Sequence, residues 1–338
     1  MFVSKSKGIE SNKMIVLSIY IATYNRKDIM KKKLDEILAV KSDEFDIWVL
    51  DDCSDDGTIE MLRSISDERL HSIRNIERVG RKKNGVMPNW YKLFEACDGR
   101  FLLHLNDRDI FYTKKLLDLI EFLKDHWDYT AGICNSFSGI KLYDTPQRAL
   151  MKVPYRASHP TGIIIRNDLY KSIPDREKFF EKDVSYIHPH DLVLGKLSEN
   201  GKMFCYDKMF ELANTESFAI NKSFYYNKGT EKTSWFAPDE RLKEFQMFIK
   251  HMKSLSHSKQ IKDKKMIDIA KTYLYFCTYN YMYYITDPGQ TQHYGIKIQT
   301  FEKKELINCA EKFIKKSSEI LYKQGLLRNI GLYKIGMK

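Results

Sequence analysis

The chain has few of the features that would tie it to an oxidising compartment or to a bilayer. Its 338 residues include six cysteines, Cys53, Cys97, Cys134, Cys205, Cys277 and Cys309, widely scattered and without a C-x-x-C pair. That scatter argues against a disulfide framework or a zinc site and fits reduced thiols in a cytosolic protein. The polar stretch Met1 to Asn12 contains no apolar signal region. No segment approaches the uninterrupted apolar length of a transmembrane helix. The expected setting is cytoplasmic, free or attached to the inner face of the membrane. No G-x-G-x-x-G follows the first apolar run and no G-x-x-x-x-G-K-[ST] occurs, which disfavours a dinucleotide-binding dehydrogenase and a P-loop nucleotide hydrolase.

What is present suffices for a large folded unit plus an appendage. Hydrophobic residues make up 43% and aromatics 13% of a chain longer than the usual single domain. The formal net charge of +11 is unevenly spread: residues 241–338 hold 19 Lys+Arg against 8 Asp+Glu, and the first 240 residues hold 37 of each sign. Two regions with different electrostatic roles are expected.

Ile15 to Ile21 is a β-branched apolar run that reads as a buried strand, followed by Ala22-Thr23-Tyr24-Asn25-Arg26 and an amphipathic helix over about 27–39. Phe45 to Leu50 is a second strand, ending in Asp51-Asp52-Cys53-Ser54-Asp55-Asp56-Gly57-Thr58, a loop of turn formers and helix caps before a helix over about 59–66. Leu70 to Arg74 reads as a strand, 84–96 as a helix, Phe101 to Leu105 as a strand and 114–124 as a helix. This alternation predicts an α/β fold with a mostly parallel sheet covered on both faces. In such sheets ligands bind beyond the carboxyl ends of the strands. The polar clusters after three strands, Thr23–Arg26, Asp51–Ser54 and Asp107–Asp109, should therefore meet at one crevice. Asp107 and Asp109 flank Arg108, and residues i and i+2 of an extended segment project to the same side. Two hard oxygen donors so placed suit Mg²⁺ or Mn²⁺, with substrate phosphates completing the shell. A solvated turn is the alternative reading of the same three residues.

Taken together, Ser18-Ile19-Tyr20-Ile21-Ala22-Thr23-Tyr24-Asn25-Arg26, Val49 to Thr58, Ala96-Cys97-Asp98-Gly99-Arg100-Phe101 and Asn106-Asp107-Arg108-Asp109 resemble the N-terminal signature of family 2 glycosyltransferases, over about the first third of the chain. The resemblance implies a GT-A, Rossmann-like fold and a metal-dependent, inverting transfer of a sugar from a nucleotide-sugar, with bacterial use. It places Thr23, Asn25 and Arg26 in the nucleotide pocket and gives one of Asp51 and Asp52 a hydrogen bond from uracil N3–H. It puts Asp107 on the ribose or the metal, with Arg108 beside it, and Asp109 on the metal that bridges both phosphates of a UDP-sugar. Arg78, Arg81, Lys82 and Lys83 surround Gly80 where the family often contacts base or diphosphate, and otherwise form a solvated basic run. Asn89 matches a recurrent family asparagine or caps its helix.

Downstream, Ser158 to Arg166 resembles a later family strand, with Thr161-Gly162 near the acceptor side. His188-Pro189-His190-Asp191 opens an amphipathic helix where the family carries two acids, the second being the catalytic base. Here the pair is His190-Asp191. Asp191 is the expected base, or else an acid favoured by the helix dipole. His188 and His190 are candidate metal or acceptor contacts, or simply packed side chains. The stretch 221–238 lacks the histidine that many relatives supply, and Lys228 or Tyr226 is a candidate substitute on the diphosphate.

Residues 1–238 are thus expected to form the catalytic domain, and 239–338 an all-helical, basic, aromatic-rich region with helices over about 239–254, 263–285 and 302–323, broken at Pro288-Gly289. Tyr273, Tyr275, Phe276, Tyr279, Tyr281, Tyr283 and Tyr284 either pack helices together, dock on an anionic membrane or mediate self-association into a homo-oligomer. The acceptor implied is a saccharide, lipid-linked or on a glycoprotein. A second reading is a non-catalytic nucleotide-sugar-binding or polyanion-binding module using the basic C-terminal region; no motif for nucleic acid is present.

Overall fold

The computed structural model describes residues 14–79, 87–137, 139–154, 160–181, 189–211, 236–256, 263–294 and 296–326. Its centre is an eight-stranded sheet of β1 (Leu17–Thr23), β2 (Phe45–Asp51), β3 (Leu70–Arg74), β4 (Phe101–His104), β6 (Ala131–Phe137), β7 (Lys141–Tyr143), β8 (Ile163–Arg166) and β9 (Met203–Asp207). The strand order is β3-β2-β1-β4-β8-β6-β9-β7, and β5 (Ile110–Phe111) pairs separately with β10 (Phe210–Glu211). The first four strands run parallel, β8 is antiparallel to both its neighbours, and β9 returns parallel to β6.

The two-residue period of a strand assigns each side chain of β1 to one of two cores. Ile19 and Ile21 pack with α1 (Lys27–Leu38), α2 (Thr58–Ser64) and α4 (Leu116–Asp125). Tyr20 faces the opposite way, with α3 (Met87–Ala96) and α7 (Pro189–Leu197). Helices thus cover both faces, as the alternation of runs implies. The short helices α5 (Pro146–Lys152) and α6 (Asn167–Lys171) flank the later strands. Gly99, just before β4, is required by close approach: a Cβ there would lie 2.6 Å from the backbone nitrogen of Ser18.

From Pro238 the described chain is helical: α8 (Pro238–Ser254), α9 (Asp263–Tyr275), a π-helical turn (Phe276–Asn280), α10 (Tyr281–Thr286), α11 (Pro288–Tyr294) and α12 (Lys303–Lys323). The expected second helix forms, but with the π turn inside it. Pro288-Gly289 does separate the second expected helix, which ends at Thr286, from the third, yet it also starts another. A proline at the first helical position gives up only a donor that a helix start leaves unpaired, and Asp287 Oδ1 accepts from the Gln290 backbone at 2.9 Å. Phe245, Phe248, Met266, Tyr273, Phe313 and Leu321 make the core of this region, joined by Leu150 of α5. The joint to the sheet runs through His251, whose ring stands edge-on to Phe179 at 5.9 Å, and through a hydrogen bond from the Ser256 backbone to Glu199. Among the described residues, no helix is long and apolar enough to cross a membrane.

Candidate active site

The site lies at the carboxyl edge of β3, β2, β1 and β4. Parallel register aligns Thr23 with Asp51 and Asp51 with Arg74. Backbone bonds lock the tips beyond the strands: Asp52 to Thr23 at 2.9 Å, Asn75 to Asp51 at 3.0 Å, and Leu105 to Tyr20 at 3.1 Å. Asp51, Asp52, Asp107 and Asp109 are all buried there, where an uncompensated carboxylate is costly. Each has identifiable partners.

Asp51 accepts from the Ser54 hydroxyl and, at 3.3 Å on both oxygens, from the Ser54 backbone, with Arg74 Nε 3.7 Å from Oδ2. Burial raises its pKa from the ordinary carboxylate value, opposed by the Ser54 bonds and the Arg74 charge. Asp52 Oδ1 accepts from Asn75 Nδ2 and from the Val79 backbone, both at 2.8 Å. Asn75 also donates to Asn89 Oδ1 at 2.7 Å and accepts from Lys92 at the same distance. Asn89 is therefore a buried partner of the third strand tip rather than a helix cap. Asn25, at φ +49°, donates its side-chain amide to Asp55 Oδ1, accepts from the Asp55 backbone, and donates its own backbone N–H to Ser54 Oγ at 2.8 Å. Two buried polar atoms, Thr23 Oγ1 and Asn89 Nδ2, find no hydrogen-bond partner among the described residues, as expected of groups that await a polar ligand.

The Asp107–Asp109 turn is braced by cations. Arg26 donates to Asp107 Oδ2, and Lys33 Nζ donates to the Asp109 carbonyl. Burial pushes the Lys33 ammonium below its ordinary pKa, against the pull of Asp107 and Asp109. Thr161 donates its hydroxyl to Asp109 Oδ2 and accepts from the Asn106 backbone at 3.0 Å. Among the described residues, no three His, Cys, Asp or Glu side chains gather as a complete ligand set. Two acids at one turn still fit a Mg²⁺-like ion, which is commonly held by one or two carboxylates and by substrate phosphates.

Arg108 is half-buried beside these acids, and Asp191 is half-buried in the first turn of α7. His190 points the other way, into the core: it is 1% exposed and 3.0 Å from the Tyr20 hydroxyl. Arg78 stacks its guanidinium 3.6 Å from the centre of the Tyr24 ring. Gly80, Arg81, Lys82, Lys83, His188, Tyr226 and Lys228 lie outside the described residues. Contributors that escaped the sequence reading include Asn75, Tyr20 and the site role of Lys33. Asn75 directly follows a strand, and Lys33 is a charge on the apolar stripe of α1; both are legible signals. Tyr20 sits inside an apolar run and gives none.

The Glycosyl transferase family 2 profile matches residues 18–232. TuaG of Bacillus subtilis (strain 168), described as a teichuronic acid biosynthesis glycosyltransferase, is 28% identical over 129 residues, 38% of this chain and 47% of that protein. WfaP of Escherichia coli, a UDP-Glc:alpha-D-GlcNAc-diphosphoundecaprenol beta-1,3-glucosyltransferase, is 27% identical over 111 residues, 33% of this chain and 42% of that one. The chain thus spans less than half the length of these two relatives. In three dimensions it resembles TarS 1-349 of S. aureus in complex with UDP-GlcNAc, with a TM-score of 0.54 at 14% identity over 95% of this chain and 88% of that one. Longer TarS gives 0.53 at 16% identity, covering 95% of this chain and 54% of that one. These structures share a GT-A-like fold with it. By its motifs, its sheet and the extent of the profile match, the chain belongs to glycosyl transferase family 2.

Proposed function

We propose that the chain moves a sugar from a UDP-sugar to a hydroxyl of a glycan acceptor, with inversion and with metal assistance. The observation that carries this reading is the placement of buried Asp52, Asp107 and Asp109 beyond the tips of β2 and β4, which flank β1, with Thr23 Oγ1 and Asn89 Nδ2 unsatisfied among the described residues. The UDP-GlcNAc held by TarS and the UDP-Glc named for WfaP support a uridine donor.

In this reading Thr23, Asn25, Arg26 and Asn89 shape the nucleotide pocket. Asp51 commits both carboxylate oxygens to Ser54 and Arg74, which favours Asp52 as the acceptor of the uracil N3–H. Arg26 orients Asp107 toward the ribose, Arg108 flanks the diphosphate, and Arg81 and Lys228 are assigned to its far side. Asp109, with Asp107 in support, would hold Mn²⁺ or Mg²⁺ against the donor phosphates, where the ion offsets charge on the leaving group. Asp191 takes the proton of the acceptor hydroxyl as that oxygen attacks the anomeric carbon. The bond from the anomeric carbon to the diphosphate breaks on the opposite face, and UDP departs with the electron pair.

The acceptor is read as a lipid-linked saccharide, in line with the diphosphoundecaprenol named for WfaP; a glycoprotein glycan is the other candidate. Residues 1–238 serve as the catalytic domain in this reading. The region 239–338 brings its positive charge and its exposed Tyr275, Tyr279 and Tyr283 to the cytoplasmic face of an anionic membrane. The test is a panel of UDP-sugars with Mn²⁺, scored by thermal stabilisation and by UDP release. Stabilisation and turnover by at least one donor are expected. A response to GDP-sugars alone would overturn the uridine assignment.

A further inference from the structure

One buried contact joins β1 to the helix that carries Asp191. We propose that Tyr20 and His190 form a positioning pair: their hydrogen bond fixes the rotation of the first turn of α7 and so aims the Asp191 carboxylate at the acceptor hydroxyl. The inference deepens the reading of Asp191 as the base and rests on it.

His190 stands where the family resemblance leads one to expect the first of two acids. Its imidazole is 1% exposed and Tyr20 is fully buried, with Nε2 and the phenolic oxygen 3.0 Å apart. Three more rings wedge the imidazole. His104 lies 4.6 Å away and edge-on, Trp90 4.9 Å away and edge-on, and Phe94 5.5 Å away and tilted. Burial holds the Tyr20 hydroxyl well above its usual pKa, so it stays protonated and able to donate. A ring so enclosed has one orientation, and a polar pair in such a setting is costly to leave half-made.

Consecutive side chains of a helix diverge by about 100°. Pinning His190 against β1 therefore sets the direction of Asp191 next to it. The cluster also reaches the acidic turn. His104 Nε2 is 2.9 Å from Asn106 Oδ1, the Asn106 backbone donates to Thr161, and Thr161 donates to Asp109. The helix that carries the base and the turn that carries Asp109 are thus referenced to one rigid set of rings. Misplacement of a reacting group by about 1 Å can cost on the order of a hundredfold in rate, so the pair has leverage far beyond the worth of a single bond.

The test uses the full chain in transfer from UDP-glucose or UDP-GlcNAc to a GlcNAc-diphosphate-lipid, with UDP release to water followed in parallel. Tyr20→Phe keeps the ring and removes the hydroxyl; His190→Leu removes the partner; His190→Gln keeps a group able to bond Tyr20. Tyr20→Phe and His190→Leu are expected to lower kcat by roughly tenfold to a hundredfold with the donor KM within about twofold, and His190→Gln to recover most of the loss. A merely structural role would lower Tm and active fraction without splitting kcat from KM, and would not be rescued by glutamine. Unchanged kcat in Tyr20→Phe overturns the pair while leaving the base assignment intact, provided Asp191→Asn is inactive. Transfer by Asp191→Asn overturns the base assignment and the pair with it.

Discussion

The sheet unit and the helical region treat charge in opposite ways. In the sheet unit four acids are buried at one edge, each held by a partner from another strand or loop, while the overall balance of sign is even. In the helical region the buried charges described are a single local pair, Arg241 and Glu244, 2.7 Å apart and three residues apart on α8. The lysines of that region whose side chains are described are exposed, together with Tyr275, Tyr279 and Tyr283, which are 53%, 56% and 43% exposed. Charge buried by long-range convergence marks a site, because folding alone would replace it with apolar residues. A short-range buried pair marks an internal fastening.

The largest expected effect falls on the sheet unit. Asp191→Asn should lower transfer by about a hundredfold to ten-thousandfold while leaving UDP binding and Tm within error, as read by steady-state kinetics beside calorimetry. The helical counterpart is Glu244→Ala, which breaks the buried ion pair with Arg241 from one side. A stability loss of about 3 kcal/mol is expected, with hydrogen exchange rising first in α8 and α12. Donor affinity that fell in step would show that the two regions are not energetically distinct.

Acid should act at the joint. Burial lowers the pKa of His251 to about 4, with Glu199 and Lys196 nearby exerting opposite pulls. An imidazole in the unfolded chain titrates near 6.5, so between these values the unfolded state binds more protons. Stability should therefore fall as pH drops from about 6.5 toward 4, by up to about 3 kcal/mol, and level off below. His251→Leu should flatten that segment of the profile in chemical denaturation. The smallest effect expected is on the surface. Changing Tyr275, Tyr279 and Tyr283 together to Ser should weaken sedimentation with phosphatidylglycerol vesicles severalfold and leave UDP release in solution unchanged.

The sequence exposed the two regions unequally. Strands of the first half are apolar runs that stop abruptly in polar clusters, so β1 to β4 and the acids beyond them were legible, and Leu70–Arg74 coincides with β3 to the residue. Beyond β4 the chain departs from simple alternation: β8 enters antiparallel between β4 and β6, and β9 pairs with β6 across a long sequence separation. No local pattern announces such pairings. Ala131–Phe137 also places Gly132 under the Phe204 ring, which a Cβ would meet at 2.2 Å; packing, not periodicity, selects that glycine. In the helical region spacing revealed the helices but not which face turns outward, since tyrosine serves both. His190 shows the same limit within the site: its place in the chain suggested chemistry, while its burial beside Tyr20 is a three-dimensional fact.

The most direct test is equilibrium binding of a UDP-sugar with and without Mn²⁺, by calorimetry on the parent chain and on Asp109→Ala. Binding strengthened by the metal in the parent, with that increment abolished in a folded Asp109→Ala, is the expected result. An undiminished metal-dependent increment in Asp109→Ala would contradict the assignment of the strand-tip acids to the donor diphosphate.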